Sequence, residues 1–295
     1  MTTPMGLPPA PKEDVKEMQK RYNIKLKFME MYEGGIMVCV CTPQQAILAE
    51  RYGARGIVIM EDTHTKMIPR HGADNYKAMD AAAVKRIMDH VLLPAFVRVR
   101  AGHEIEATIM QKHGVTGIFE TTDMGKLFSR AFIRKHTYNV PFIADAIGNL
   151  ADAVMRIDEG AVMLCNHLPT GAMSQAKDIS KIFKVIETLF GEIEDIRRME
   201  DLDREAYLEQ DILENIIKTG RFPIPFFAQG AITMPDDVAM LRHLGCDGVI
   251  LTANVFTHKY TDQKLRAAVI ACKDWDKPSV IAKLCDGLGG YHKYD

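Results

Sequence analysis

Apolar residues along this chain are bunched into short runs. Gly35 to Val40, Ile57 to Met60, Ala95 to Val99, Ile118-Phe119, Phe142 to Ala144, Val162 to Leu164, Ile224 to Phe227 and Val249 to Leu251 are too short for buried helices. They fit strands covered on both faces. Between them the spacing predicts helices over about 43–51, 79–90, 104–113, 124–135, 149–159, 175–195, 234–244 and 261–272. Thr42-Pro43 supplies an N-cap and a first-turn proline. Gly53-Ala54-Arg55-Gly56 closes that helix and leads into the next strand. The same punctuation recurs at Gly114–Gly117, at Gly160 and at Gly245–Gly248, as helix C-caps running into buried strands. Eight such units predict an α/β fold, a closed (β/α)8 TIM barrel. A doubly wound open sheet is the alternative, but no GxGxxG follows the first strand.

Outside the rhythm lie a proline-rich tail, Met1 to Pro11, and a charged helical segment from about Lys12 to Tyr32, read as one helix or two. Residues 1–32 are thus a tail and helical extension, and 33–295 a single barrel domain. The charged stretch Glu192 to Lys218 reads as extra surface helices between strands six and seven. A last helix is expected over Lys277 to Leu288.

Composition adds boundaries rather than a function. The 295 residues are 47% hydrophobic and 26% charged with a formal net charge of −2, so nucleic acid is a poor partner. No apolar run has the length of a membrane span, and the N-terminus carries no signal-type apolar stretch. Six scattered cysteines without a CxxC clip read as free thiols in a reducing compartment, the cytoplasm. No metal is expected, since no His, Cys or carboxylate pair has ligand spacing and His64 and His71 read as exposed loop residues. No cofactor is implied.

In a barrel of this kind chemistry gathers where strands end. Those ends supply Cys39, Cys41, Glu61, Asp62, Arg98, Arg100, Glu120, Asp145, Asn166, His167, Gln229, Gly230, Thr252, Ala253 and Asn254. Arg98 and Arg100 stand out, because a buried guanidinium costs several kcal/mol unless it is paired. Glu61, Asp62, Glu120 and Asp145 are available to hold them in an ion network or to act as acids and bases. No lysine stands at any of the eight expected strand ends. Arginine cannot shed its proton to attack a carbonyl, so a Schiff-base mechanism is disfavoured. A phosphate cradle is poorly made: Gly230 provides one glycine, and side chains at Thr252 and Ala253 restrict approach to the eighth turn.

At these residues the chain resembles the synthase (lyase) subunit of glutamine-dependent pyridoxal 5′-phosphate synthase. The resemblance spans roughly Glu33 to Leu288. It runs through Gly34-Gly35-Ile36-Met37, Gln45-Ala46, Ala49-Glu50, Arg100-Ala101-Gly102-His103, Glu106-Ala107, Asn139-Val140-Pro141-Phe142 and Glu159-Gly160-Ala161. It continues in Gly230-Ala231-Ile232-Thr233, Pro235-Asp236 and Leu244 to Val249. It implies a (β/α)8 barrel assembled in hexameric rings, often paired as dodecamers. It also implies condensation of a pentose phosphate, a triose phosphate and ammonia from a glutaminase subunit.

Carried over by position, the resemblance departs from the family at its chemistry. The two catalytic lysines fall on Arg98 and His167, the catalytic aspartate on Cys39, and a nearby arginine on Cys165. Glu120 is retained, while Phe119 and Thr122 replace acidic residues. Of the phosphate-binding positions Gly171 and Gly230 are kept, Met173 replaces a glycine, and Thr252 and Ala253 replace a Gly-Ser turn. Most of the family's C-terminal tail is missing after Tyr291. Each imine needs its own amine. The expectation is therefore an inactive paralogue, an assembly or regulatory component that forms rings with itself or with an active synthase subunit. Two alternatives stay open: pyridoxal 5′-phosphate synthesis by displaced residues such as Lys66 or Lys77, and altered chemistry with Cys39 as nucleophile and His167 as base. Glutaminase docking is weakly supported, because Lys12 to Tyr32 matches the family pattern poorly.

Overall fold

The computed structural model describes residues 14–60, 79–126, 132–146, 149–166, 179–198, 210–230 and 232–288. Eight parallel strands close into a barrel in chain order, with β1 paired to both β2 and β8. They are β1 Ile36–Val40, β2 Gly56–Ile59, β3 Ala95–Ala101, β4 Gly117–Lys126, β5 Phe142–Ala146, β6 Met163–Asn166, β7 Phe226–Gly230 and β8 Gly248–Leu251. The predicted (β/α)8 barrel is the fold.

The helices, numbered among the described residues, are α1 Val15–Glu30, α2 Pro43–Arg51, α3 Ala81–Met88, α4 Glu104–Lys112 and α5 Leu150–Asp158. There follow α6 Ile179–Arg198, α7 Gln210–Thr219, α8 Pro235–His243, α9 Thr261–Lys273 and α10 Pro278–Cys285. Local signals account for several of their ends. Thr42 caps α2 by accepting from the Gln45 amide at 3.3 Å, and Asn149 caps α5 by accepting from Asp152 at 2.8 Å. Gly114 and Gly245 leave α4 and α8 at φ +78° and +106°, a left-handed conformation that a side chain would strain.

The 124–135 helix is a correction. Strand β4 runs through to Lys126, which pairs with Ala101 after a register shift at Arg100. Residues 132–134 carry no regular structure and 135–137 form one 3-10 turn. Thr121 and Thr122 explain the longer strand: both donate to Asp145 of β5, and β-branched residues suit a buried strand. This also revises the count of lysines, since a strand does end on one. The charged stretch contributes the end of α6 and most of α7, with 199–209 outside the described residues. Both are amphipathic and bury Ile182, Ile186, Leu189, Ile193 and Ile196 of α6 and Leu213 and Ile216 of α7.

Two apolar layers result from the alternation of side chains along each strand. Met37, Cys39, Val58, Phe96, Phe119, Ile143, Cys165, Phe227 and Ile250 fill the barrel interior. Val38, Ile57, Val97, Ile118, Phe142, Leu164, Phe226 and Val249 meet the helices. The single helix α1 closes the N-terminal end of the barrel. Its Met29, and Tyr32 just beyond it, belong to the interior layer, with the Tyr32 ring 5.9 Å from that of Phe96. Glycines at three strand starts make the floor possible. A Cβ at Gly56 would meet the Tyr32 ring, one at Gly117 the Phe96 ring, and one at Gly248 the Phe227 ring and the Gly35 carbonyl, at 2.6 Å.

Gly248→Ala is accordingly expected to lower unfolding stability by about 1–3 kcal/mol, the ordinary range for overpacking a dense core. Urea denaturation checks this, and an unchanged midpoint would show that the floor has slack.

Candidate functional site

The C-terminal ends of the strands bring several polar side chains into the interior. Arg98 lies on the face of β3 that carries Phe96, and is 2% exposed. Its guanidinium carbon stands 5.1 Å from the centre of the Phe119 ring, a favourable cation–π placement. It reaches across the barrel, where Nη2 lies 3.5 Å from Oε1 of Gln229 on β7. Gln229 is locked in turn. Its Nε2 donates to the Asn166 carbonyl at 2.7 Å, its amide to Asn166 Oδ1 at 2.6 Å, and Asn166 Nδ2 to the Gln229 carbonyl at 3.1 Å. With the carboxamide nitrogen committed to Asn166, Oε1 is the atom left to face Arg98.

Asp145 shares this face of the sheet and is 1% exposed. Its Oδ2 accepts from the hydroxyls of Thr121 at 3.1 Å and Thr122 at 2.9 Å, and from the Thr122 amide at 2.9 Å. Thr252, just past β8, is 2% exposed and its amide donates to the Gly230 carbonyl at 3.1 Å. Its hydroxyl oxygen is buried without a hydrogen-bond partner among the described residues. Ala253 opens a 3-10 turn, Ala253–Thr257, and packs in the interior layer.

Glu120 is not part of this group. It sits one residue on from the inward Phe119 and points outward, toward the helices. There Oε2 lies 2.6 Å from Nζ of the fully buried Lys135, and Oε1 accepts from the amides of Gly102 and Ile133, both at 2.9 Å. Lys135 also contacts Glu159 at 2.9 Å, and Arg156 reaches Glu159 at 3.0 Å while its guanidinium carbon stands 3.1 Å over the Phe132 ring. Burial raises the Glu159 carboxyl above the usual carboxylate range, against the lowering influence of the Lys135 and Arg156 charges. The expected partnership of Glu120 with Arg98 is therefore replaced by one with Lys135. Arg100 leaves the barrel too, its Nε 3.1 Å from Glu106 in the first turn of α4.

Of the remaining expected positions, Cys39 and Cys165 are fully buried in the interior layer, on strands that are not neighbours. The Cys165 thiol contacts the Ala144 carbonyl at 3.8 Å. Gly230 has a packing reason for being glycine, since a Cβ there would strike Ile182 of α6. His167, Gly171 and Met173, with Glu61, Asp62, His64, Lys66, His71 and Lys77, lie outside the described residues, as does the tail at 1–11. Sequence reasoning missed Lys135, Arg156 and the Gln229–Asn166 clasp. Only the Arg156 to Glu159 spacing on one helix gave any local signal.

A closed barrel of eight parallel strands with its polar residues gathered at one end is the class of protein that fold and site define. Within that class the chain belongs to the SOR/SNZ family, whose model matches residues 21–229. It is 30% identical over 271 residues to the pyridoxal 5′-phosphate synthase subunit PdxS of Thermotoga maritima, covering 90% of each chain. It is likewise 30% identical over 273 residues to the PdxS subunit of Thermus thermophilus, covering 91% of each.

Lys135→Met would strand the Glu120 carboxylate in the layer between sheet and helices. Breaking one partner of a buried pair costs about 3–5 kcal/mol. The double variant Glu120→Gln with Lys135→Met should recover part of that loss, which urea unfolding of both variants will measure. A single-variant cost below about 1 kcal/mol, the exposed-pair range, would mean the cluster contributes little.

Proposed function

We propose that this chain is a non-catalytic member of a pyridoxal 5′-phosphate synthase assembly. It acts as a structural or regulatory subunit in a ring-shaped complex of vitamin B6 biosynthesis. Its relatives are synthase subunits along nearly their whole length. The observation that carries the reading is Arg98, buried on the inner face of β3 where the family resemblance puts an imine-forming lysine. A guanidinium stays protonated at any physiological pH and has no lone pair to offer a sugar carbonyl. Cys39 stands where the resemblance puts an aspartate, and it is fully buried in the interior layer.

Intact apolar layers support a role that needs the fold. The proposed partners are further copies of this chain or an active synthase paralogue, in hexameric or dodecameric rings. A glutaminase subunit is the weaker partner, given how little Lys12 to Tyr32 resembles the family's docking segment. No helix among the described residues is long and apolar enough to cross a membrane. All six thiols are free, which supports placing the protein in the cytoplasm.

One observation favours a second reading, retained synthase chemistry through a displaced amine. Strand β4 ends at Lys126, beside the end of β3. That adds a third candidate to Lys66 and Lys77.

Incubation with ribose 5-phosphate followed by intact-mass measurement separates the two. The non-catalytic reading expects no covalent adduct. An adduct mapped to Lys126, Lys66 or Lys77 would overturn it. Native mass spectrometry with an active synthase subunit from the same source is expected to give mixed rings; homomeric species alone would restrict the role to self-assembly.

A further inference from the structure

We propose that Lys264, in the first turn of α9, is a site of reversible modification by carbon dioxide, which converts its amine to a carbamate. Lys264 is 8% exposed, and among the described residues no carboxylate pairs with it. It shares a helix face with Ala267, one turn on, which packs with Met234 and Leu288 in an apolar cluster. Helix α9 runs for 13 residues, and the side chain of its N-cap, Tyr260, accepts no first-turn amide. Those amides carry the positive end of the helix dipole. A helical side chain leans over the turn N-terminal to it, so the Lys264 amine lies at that end. Burial, with the nearby Lys264 charge, holds the half-buried His258 below the usual histidine range. The acid of the turn, Asp262, is exposed and hydrogen-bonded to Tyr52.

An ammonium ion is disfavoured here on three counts: it is out of water, it has no counter-ion, and it faces the wrong end of a helix. Burial accordingly holds the Lys264 amine below the usual lysine range. That enlarges the fraction of free amine, the form with a lone pair to offer an electrophile. The lone pair adds to the carbon of carbon dioxide, one C–O π pair moves onto oxygen, and the nitrogen gives a proton to water. An –NH2 group and CO2 thus become –NH–COO− and H+. The product reverses the unfavourable charge, setting an anion at the positive end of α9 and beside His258. This is what singles out carbon dioxide: it is small and uncharged enough to reach a nearly closed amine, whereas a protonated imine formed with an aldehyde would keep the cation. The site lies on a helix outside the barrel and involves no sugar, so a ribose adduct on another lysine would overturn the non-catalytic reading and leave this one untouched.

The test is chemical trapping. The full chain is equilibrated with isotopically labelled bicarbonate and dissolved carbon dioxide, alkylated with triethyloxonium to make any carbamate permanent, and mapped by peptide mass. The trapped group should sit on Lys264 at about threefold or more the occupancy of Lys259, an exposed amine in the preceding loop; that ratio is the worth of one charge at a helix N-terminus. Lys264→Arg keeps the cation and removes the nucleophile, so it should fold as before and lose the trapped group. Titration of His258 by proton NMR gives an independent reading. Its midpoint should rise when carbon dioxide is added to the wild-type chain, because a neighbouring cation becomes an anion, and stay put in Lys264→Arg. No carbamate on Lys264, an occupancy no greater than that of Lys259, or a His258 shift that persists in Lys264→Arg would overturn the proposal.

Discussion

Every strand in this barrel is covered twice, inside by its fellow strands and outside by helices. That constraint governs the rest of the molecule. With no solvated face, each polar side chain on a strand must find a partner in one of two dry compartments or bear a desolvation cost. The compartments are solved differently. Outside, Glu120 meets Lys135, Glu159 and Arg156 in an ion cluster that substitutes for apolar packing between β4, the 132–138 segment and α5. Inside, a carboxamide clasp joins β6 to β7, and threonines of β4 donate to Asp145.

Much of the fold could be read from local chemistry. Thr42-Pro43 and the glycines at 53, 114, 160 and 245 act within a few residues of themselves, so the helix ends they mark are where the sequence puts them. The second glycine of each pair was legible as punctuation but not in its purpose. Gly117 and Gly248 make room for Phe96 and Phe227, rings that arrive from neighbouring strands. The extension of β4 was hidden for the same reason. Thr121-Thr122-Asp123 reads locally as the cap of a helix, and what prolongs the strand is Asp145, more than twenty residues on.

The candidate site was legible in its residue types and not in its faces. A strand buried on both sides has no polar alternation, so the sequence does not say whether Glu120 or Phe119 points inward. Once Phe96 is known to fill the interior, parity along the register puts Arg98 inside with Phe119 opposite, and sends Glu120 to the helices. Lys135 escaped notice because nothing periodic surrounds it. Its burial follows from three acceptors, two of them carboxylates, supplied by Glu120, Ile133 and Glu159.

The helix that closes the floor is tied to the barrel by both apolar and polar contacts. Met29 and Tyr32 lie in the same layer as the strand side chains. Lys25 Nζ donates to the carbonyls of Lys135 and Tyr138 at 3.2 and 3.1 Å, and Arg21 to that of His136 at 2.8 Å. A lysine buried to 4% on an N-terminal helix makes that helix a stopper seated in the vessel rather than a handle attached to it. The hydrophobic interior is continuous from Met29 to Ala253. The packed interior therefore takes in side chains that precede the first strand, and the eightfold rhythm of the chain does not mark them.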